Sequence, residues 1–208
     1  MSEASAPEIR SAVYVKSSAK IGQLPPPDLP EFAFTGRSNV GKSSLLNMLV
    51  SKKGLAKISG HPGKTQLINH FLINDSWYLV DLPGYGYARV SQKMRAEWDK
   101  LFISYITHRE NLISLFVLID GRHEPMAADM AFMERLALNG VPFARVFTKS
   151  DKLSAAEAER IRSVHDRVML ERWESLPPSF VTSATKGTGK EELLEYITRN
   201  MIFFEREK

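Results

Sequence analysis

Gly36-Arg37-Ser38-Asn39-Val40-Gly41-Lys42-Ser43 reads G-x-x-x-x-G-K-S and follows the apolar run Phe32-Ala33-Phe34. Strand, glycine-bounded loop and helix, in that order, are the setting in which this pattern cradles phosphate. The glycines let backbone N–H groups turn inward as a concave anion nest. The helix that follows, Lys42 to about Leu49, aims its N-terminus and its dipole at the same point. Lys42 is placed to reach β- and γ-phosphates, and the Ser43 hydroxyl to ligate Mg²⁺. A plain glycine turn opening a helix is the competing reading, and three companion motifs weigh against it.

Tyr78-Leu79-Val80 runs into Asp81-Leu82-Pro83-Gly84. An acid at the end of an apolar strand can hold Mg²⁺ through water. Gly84 has no side chain to block a γ-phosphate, so its N–H can approach. Thr148-Lys149-Ser150-Asp151 follows the strand expected at Phe143 to Phe147. The Asp151 carboxylate can accept hydrogen bonds from guanine N1–H and from its exocyclic amine; adenine presents neither. A site built on such bonds rejects the wrong base by factors on the order of 10⁴–10⁵. The stem of Lys149 would lie against the base plane. Ser183-Ala184-Thr185 follows the strand expected at Phe180 to Thr182, and the Ala184 N–H can meet guanine O6. Each of these three is weak alone; their order and their places after strands give them weight.

Along the chain, Ala12-Val13-Tyr14-Val15 has the composition of a strand that pairs at a sheet edge, and Pro25-Pro26-Pro27 then blocks regular structure. Leu67 to Ile73 and Trp77 to Val80 predict two strands joined at Asn74-Asp75. Met94, Trp98, Leu101, Phe102, Tyr105 and Ile106 recur at helical spacing within Ser91 to His108. Leu112 to Ile119 is a strand buried on both faces. A helix from Met126 to Leu138 stops at Asn139-Gly140, and Ser154-Ala155-Ala156-Glu157 is a capping box opening a helix to about Leu170. Thr188 to Glu191 is expected to cap a last helix reaching about Phe203. Strands alternating with helices imply an α/β fold: a mostly parallel, doubly wound sheet flanked by helices on both faces. Ligands of such sheets sit beyond the carboxyl ends of the strands, where all four motifs fall.

The composition sets outer bounds. At 208 residues the chain is long enough for one well-buried domain. It has no cysteine, which removes disulfides and thiolate metal sites and fits a reducing compartment. Its five histidines are scattered without metal-ligand spacing, so no zinc is assigned. Met1 to Arg10 has no apolar core of a secretory signal, and no run is long enough to cross a bilayer, so a cytoplasmic protein without a membrane contact is expected. Net charge is +4, with +5 in residues 1–110 and −1 in residues 111–208. A basic half suits either a polyanion such as RNA or an ordinary solvated surface around a phosphate site, and charge alone favours the second.

Together the four motifs resemble those of a translation-factor-class GTPase domain. Gly36 to Ser44 and Leu45 resemble the loop of the Era, EngA and TrmE group. Gly63-Lys64-Thr65, Asp81-Leu82-Pro83-Gly84-Tyr85-Gly86-Tyr87-Ala88, and Asp120-Gly121-Arg122-His123 before Pro125 are similar to the EngB family of bacterial GTPases. The resemblance covers roughly residues 10–205 and implies a Ras-like P-loop GTPase fold. It implies one GTPase domain over residues 23–205, after a partly flexible N-terminal segment, residues 1–22. It further implies a monomer that hydrolyses GTP to GDP and phosphate as a switch in assembly of the large ribosomal subunit, needed for growth, cell division and septation. The implied partners are that subunit or its precursor, through rRNA and ribosomal proteins. The nucleotide contacts it implies are Gly36, Arg37, Ser38, Asn39, Val40, Gly41, Lys42, Ser43 and Ser44; Gly63, Lys64, Thr65, Gln66 and Leu67; Asp81, Leu82, Pro83 and Gly84; Thr148, Lys149, Ser150 and Asp151; and Thr182, Ser183 and Ala184. Lys42, Thr65 and Gly84 would carry catalysis, and Ser43, Thr65 and Asp81 would hold Mg²⁺. Thr65 matches the first-switch threonine, which joins Ser43 on the ion only when the γ-phosphate is present.

In Ras a glutamine after D-x-x-G orients the attacking water. Tyr85 stands here, so turnover without a partner surface or a cation is expected to be low. In the TrmE group an asparagine at the position of Asn39 helps hold K⁺, and Asn39 is the candidate for that role. Arg37 and Arg89 are candidates for charge stabilisation or RNA contact but are read first as surface residues, and Tyr85 and Tyr87 as candidate contacts for a partner. No chemistry is assigned to Asp120. Two alternatives remain: a P-loop kinase using ATP, and an RNA-binding scaffold in which nucleotide is only structural.

Overall fold

Two apolar runs carry the architecture. Phe32-Ala33-Phe34 lies in strand β2 (Glu31–Gly36), and Leu112 to Ile119 fills β5 (Leu112–Asp120), its hydrogen-bonded parallel neighbour. Successive residues of a strand face opposite sides. Phe32, Phe34, Phe116 and Leu118 therefore enter one core layer, while Ala33, Leu115, Val117 and Ile119 enter the other. The computed structural model describes residues 8–52, 54, 67–86 and 91–206.

Among the described residues seven strands form one sheet. The remaining strands are β1 (Ala12–Ser18), β3 (Ile68–Ile73), β4 (Trp77–Asp81), β6 (Phe143–Thr148) and β7 (Ser179–Val181). Their order across the sheet is β1-β3-β4-β2-β5-β6-β7. From β4 to β7 every pairing is parallel; β3 runs antiparallel to both β4 and β1. The edge role expected of Ala12 to Val15 is thus filled by β1. The β3–β4 hairpin turns at Asn74 and Asp75, both left-handed with φ of 49° and 53°, a conformation these side chains tolerate better than most.

Five helices flank the sheet among the described residues. These are α1 (Lys42–Leu49), α2 (Gln92–His108), α3 (Ala127–Leu138), α4 (Ala155–Leu170) and α5 (Lys190–Arg206). Leu45, Leu46 and Leu49 of α1 pack with Leu193, Leu194 and Ile197 of α5 on one face. Trp98, Phe102, Tyr105 and Ile106 of α2 pack with Met133 and Leu136 of α3 and Met169 of α4 on the other. Gly140 ends α3 with φ of 67°, and the Ser154–Glu157 capping box opens α4. The last helix departs from expectation. It begins at Lys190, so Thr188 lies one residue too early to cap it. Thr188 instead forms an isolated bridge with Ser183, and Gly189, between that bridge and Lys190, takes up φ of 78°. No helix among the described residues is long and apolar enough to cross a membrane.

At the amino end of β2 the core contains an ionic network. The fully buried Glu31 carboxylate accepts from Tyr105 Oη at 2.8 Å and Arg109 Nε at 3.0 Å, and lies 3.1 Å from His70 Nε2. Burial alone would push this carboxyl up; the bonds and charges of His70 and Arg109 overcome that and hold its pKa down at about 2. Arg109 also donates to Pro25 O at 2.9 Å, tying the proline-rich entry segment to α2. A carboxyl whose pKa is depressed by folding stabilises the fold above its unfolded value and loses that contribution as pH falls through the folded one. Between pH 4.5 and 2 the wild-type protein should therefore lose roughly 3 kcal/mol through this group that Glu31→Gln, already weakened at neutral pH, does not lose. Urea unfolding of both proteins across that pH window measures the difference.

Candidate functional site

The carboxyl ends of β2, β4, β5, β6 and β7 converge on one edge of the sheet, and the motifs lie there. Gly36, the last residue of β2, is packed so closely that a Cβ would lie 2.9 Å from Leu118 Cβ, Leu118 O and Val40 Cγ1. Only glycine lets the chain turn there. Gly41 follows with φ of 102°, another glycine conformation, and α1 starts at Lys42. Ser38, Asn39 and Ser44 are exposed, whereas the Val40 side chain is buried in the core. Arg37 is half-buried and turns toward α3, against Met126 Sδ and 3.9 Å from Asp129 Oδ2.

The D-x-x-G loop is laced to β2 and the phosphate loop. Leu82 N–H donates to Phe34 O at 3.0 Å, Thr35 Oγ1 to Pro83 O at 3.0 Å, and Tyr85 N–H to Gly36 O at 3.2 Å. The Leu82 side chain is buried in the core, so only its backbone faces the loop. Lys42 is ion-paired with Asp81, which makes the loop lysine and the strand-end acid immediate neighbours. Asn69 Nδ2, across the β3–β4 pair, donates to the other Asp81 oxygen at 3.3 Å. The hydroxyl of Ser43, the carboxylate of Asp81 and the cradle left by two glycines fit a hard divalent ion and a phosphate chain. Leu67, just before β3, enters at this same end. Gly63, Lys64, Thr65 and Gln66, with Tyr87, Ala88 and Arg89, lie outside the described residues.

The residues expected to meet the base are tied to the phosphate loop through β6. Thr148 is buried, and its Oγ1 donates to Val40 O at 2.6 Å. Lys149, left-handed with φ of 62°, donates from Nζ to Asn39 O at 2.7 Å and to Asp120 Oδ2 at 2.8 Å. Ser150 N–H donates to Thr182 O at 3.1 Å, and Thr182 Oγ1 to Phe147 O at 3.1 Å, so both loops share a backbone frame. Asp151 accepts from the fully buried Ser183 Oγ at 2.8 Å, which aims its carboxylate and holds its pKa below the ordinary carboxylate range. Ala184 is half-buried beside it.

Sequence reading missed two contributors, Asp120 and Asn69, and the orienting role of Ser183, which it named only as a nucleotide contact. Asp120, given no chemistry there, closes β5 and carries the countercharge of Lys149. Burial opposes its ionisation, but hydrogen bonds from Arg122 and Lys149 keep its pKa well below the usual range. Its place at a strand end was the available signal. Ser183, read as part of the Ser183-Ala184-Thr185 motif, proves to orient Asp151, and Asn69, which carries no local pattern, is a partner of Asp81. The Tyr85 ring turns away from the phosphate loop onto α3, stacking on Phe132 with centroids 3.9 Å and planes 11° apart. Its position therefore offers no carboxamide to order a water.

Residues 31–149 match the family profile described as "50S ribosome-binding GTPase". A protein of Porphyromonas gingivalis named "Probable GTP-binding protein EngB" is 56% identical over 190 residues, covering 91% of this chain and 94% of that protein. Among solved structures, a probable GTP-binding protein engB shares the fold with a TM-score of 0.64 at 22% identity, over 86% of this chain and all of that one. Era, crystallised with MgGDPNP and nucleotides 1506–1542 of 16S ribosomal RNA, does so with a TM-score of 0.64 at 22% identity, over 83% of this chain and 56% of Era. A phosphate loop, a D-x-x-G loop and the Asp151 carboxylate held by Ser183 on one sheet edge, carried by a chain so similar to those relatives, place it in the EngB family of P-loop GTPases.

Proposed function

We infer that this GTPase is a switch in assembly of the large ribosomal subunit. GTP holds it in the form that binds the precursor particle, and hydrolysis to GDP and phosphate releases it. The observation that carries the nucleotide half is the cross-link from Lys149 to Asn39 O at 2.7 Å, which sets Asp151 at a fixed reach from the phosphate loop. In this reading Gly36 to Ser44 wrap the phosphates and Lys42 neutralises the charge between the β- and γ-groups. Gly84 offers its N–H to the γ-phosphate, and Asp151, Lys149 and Ala184 read guanine. Ser43, Thr65 and Asp81 would hold Mg²⁺, and the bound ion would screen phosphate charge. Gly63, Lys64, Gln66 and Leu67 flank Thr65 in the first switch.

Support for the ribosomal half comes from the matched profile's description, from the rRNA bound by Era, and from the basic first half of the chain. A cytoplasmic monomer whose loss impairs growth, division and septation completes the reading, and the absence of cysteine suits that compartment. The orientation of Tyr85 supports slow intrinsic hydrolysis. Asn39 is exposed and left-handed at the lip of the loop, where K⁺ held by its side chain would add positive charge beside the phosphates.

Three measurements test this. Wild-type protein should bind GTP and GDP and ignore ATP. Asp151→Asn should lose roughly 100-fold in GDP affinity, as expected for removing a charged, two-bond acceptor, and should gain affinity for xanthosine nucleotides; unchanged GDP affinity overturns the guanine assignment. Hydrolysis should run at least roughly ten-fold faster in KCl than in NaCl at equal ionic strength, and Asn39→Ala should erase the difference. Co-sedimentation with large ribosomal subunits should be stronger with a non-hydrolysable GTP analogue than with GDP; equal binding in both states removes the switch.

A further inference from the structure

Tyr85 follows Gly84 and is held from two directions. Its backbone bridges to the phosphate loop, with N–H to Gly36 O at 3.2 Å and a parallel bridge to Arg37. Its side chain is fastened to α3. The ring stacks on Phe132, and the phenol donates to Asp129 Oδ1 at 3.0 Å. The other oxygen of Asp129 faces the Arg37 guanidinium at 3.9 Å. A single buried carboxylate, 4% exposed, thus joins the phosphate loop, the D-x-x-G loop and the first turn of α3.

An acid in the first turn of a helix is commonly explained by the helix dipole. That explanation does not require burial, and it does not account for two partners arriving from two different loops. Burial raises the pKa of Asp129 and pushes the Tyr85 phenol well above its ordinary range, so the phenol remains a donor at any working pH. Gly84 lies between two fastened points, Pro83 O on Thr35 and Tyr85 N–H on Gly36. The side-chain anchor and the second fastened point belong to the same residue, Tyr85.

We propose that Asp129 is a positioning residue for the GTP-bound state. By holding Tyr85 and Arg37 together, it sets where Gly84 presents its N–H, and so how strongly the protein distinguishes GTP from GDP. Tyr85 is then an anchor rather than a contact for a partner. This rests on the GTPase reading of the site: the γ-phosphate is the only group that differs between the two nucleotides, and in that reading Gly84 N–H is the D-x-x-G donor that meets it.

The test is equilibrium binding of GDP and of a non-hydrolysable GTP analogue to wild type, Asp129→Ala, Asp129→Asn and Tyr85→Phe. Asp129→Ala should weaken the analogue by roughly ten-fold, the loss of one charge-assisted hydrogen bond, while changing GDP by less than about two-fold. Tyr85→Phe keeps the stacked ring and loses only the hydroxyl; it should reproduce the shift in ratio, and it serves if Asp129→Ala fails to fold. Asp129→Asn keeps an acceptor and should recover most of the wild-type ratio. Equal losses for both nucleotides, or a ratio unchanged in Tyr85→Phe, overturn the proposal and leave the GTPase assignment standing. Failure of the wild-type protein to bind guanine nucleotides would instead overturn that assignment, and this inference with it.

Discussion

Two adjacent side chains at the end of β6 hold the nucleotide site in one piece. Thr148 donates to Val40 O and Lys149 to Asn39 O, partners 108 and 110 residues away in the chain. β5 lies between β2 and β6, so both bonds pass over its end, where Asp120 supplies a countercharge. A phosphate loop alone grips the tail of any nucleotide, and a carboxylate alone meets a base weakly. Selection needs both at a fixed separation. Fixing it in advance spares the ordering cost that binding would otherwise carry.

The two ends of the sheet use charge differently. At the amino end, Glu31 is fully buried and bonded by Tyr105 and Arg109, with His70 alongside. A buried ion pair of that kind is costly to break, because it leaves a charge without a partner in the core. At the carboxyl end, Lys42, Asp81, Lys149 and Asp151 are only half-buried. They keep contact with solvent. Fully buried and half-buried charges are thus separated by the length of a strand, as the parallel topology allows.

Residues 92–108 and 112–120 show how much of the fold could be read directly. The helical spacing from Met94 to Ile106 put Trp98, Phe102, Tyr105 and Ile106 in the core, where they lie. The uninterrupted apolar run of β5 announced burial on both faces. Thr188 shows where such reading stops. Its T-x-x-E pattern is a sound local signal for a cap, yet the neighbouring β7 loop claims its backbone for a bridge to Ser183. A tertiary contact overrode a local preference.

The phosphate loop, the D-x-x-G loop and Asp151 were recognisable in the chain because each is a short pattern whose chemistry is nearly complete within its own window. The α/β architecture was recognisable because alternating strand and helix periods leave few ways to bury every apolar face. The partners of those motifs were not. Asp120 beneath Lys149, Ser183 behind Asp151, Asn69 on Asp81 and Asp129 under Tyr85 each depend on which strands become neighbours and which way one side chain turns. Those are properties of the packed sheet, and no stretch of sequence contains both members of any of these pairs in its local pattern.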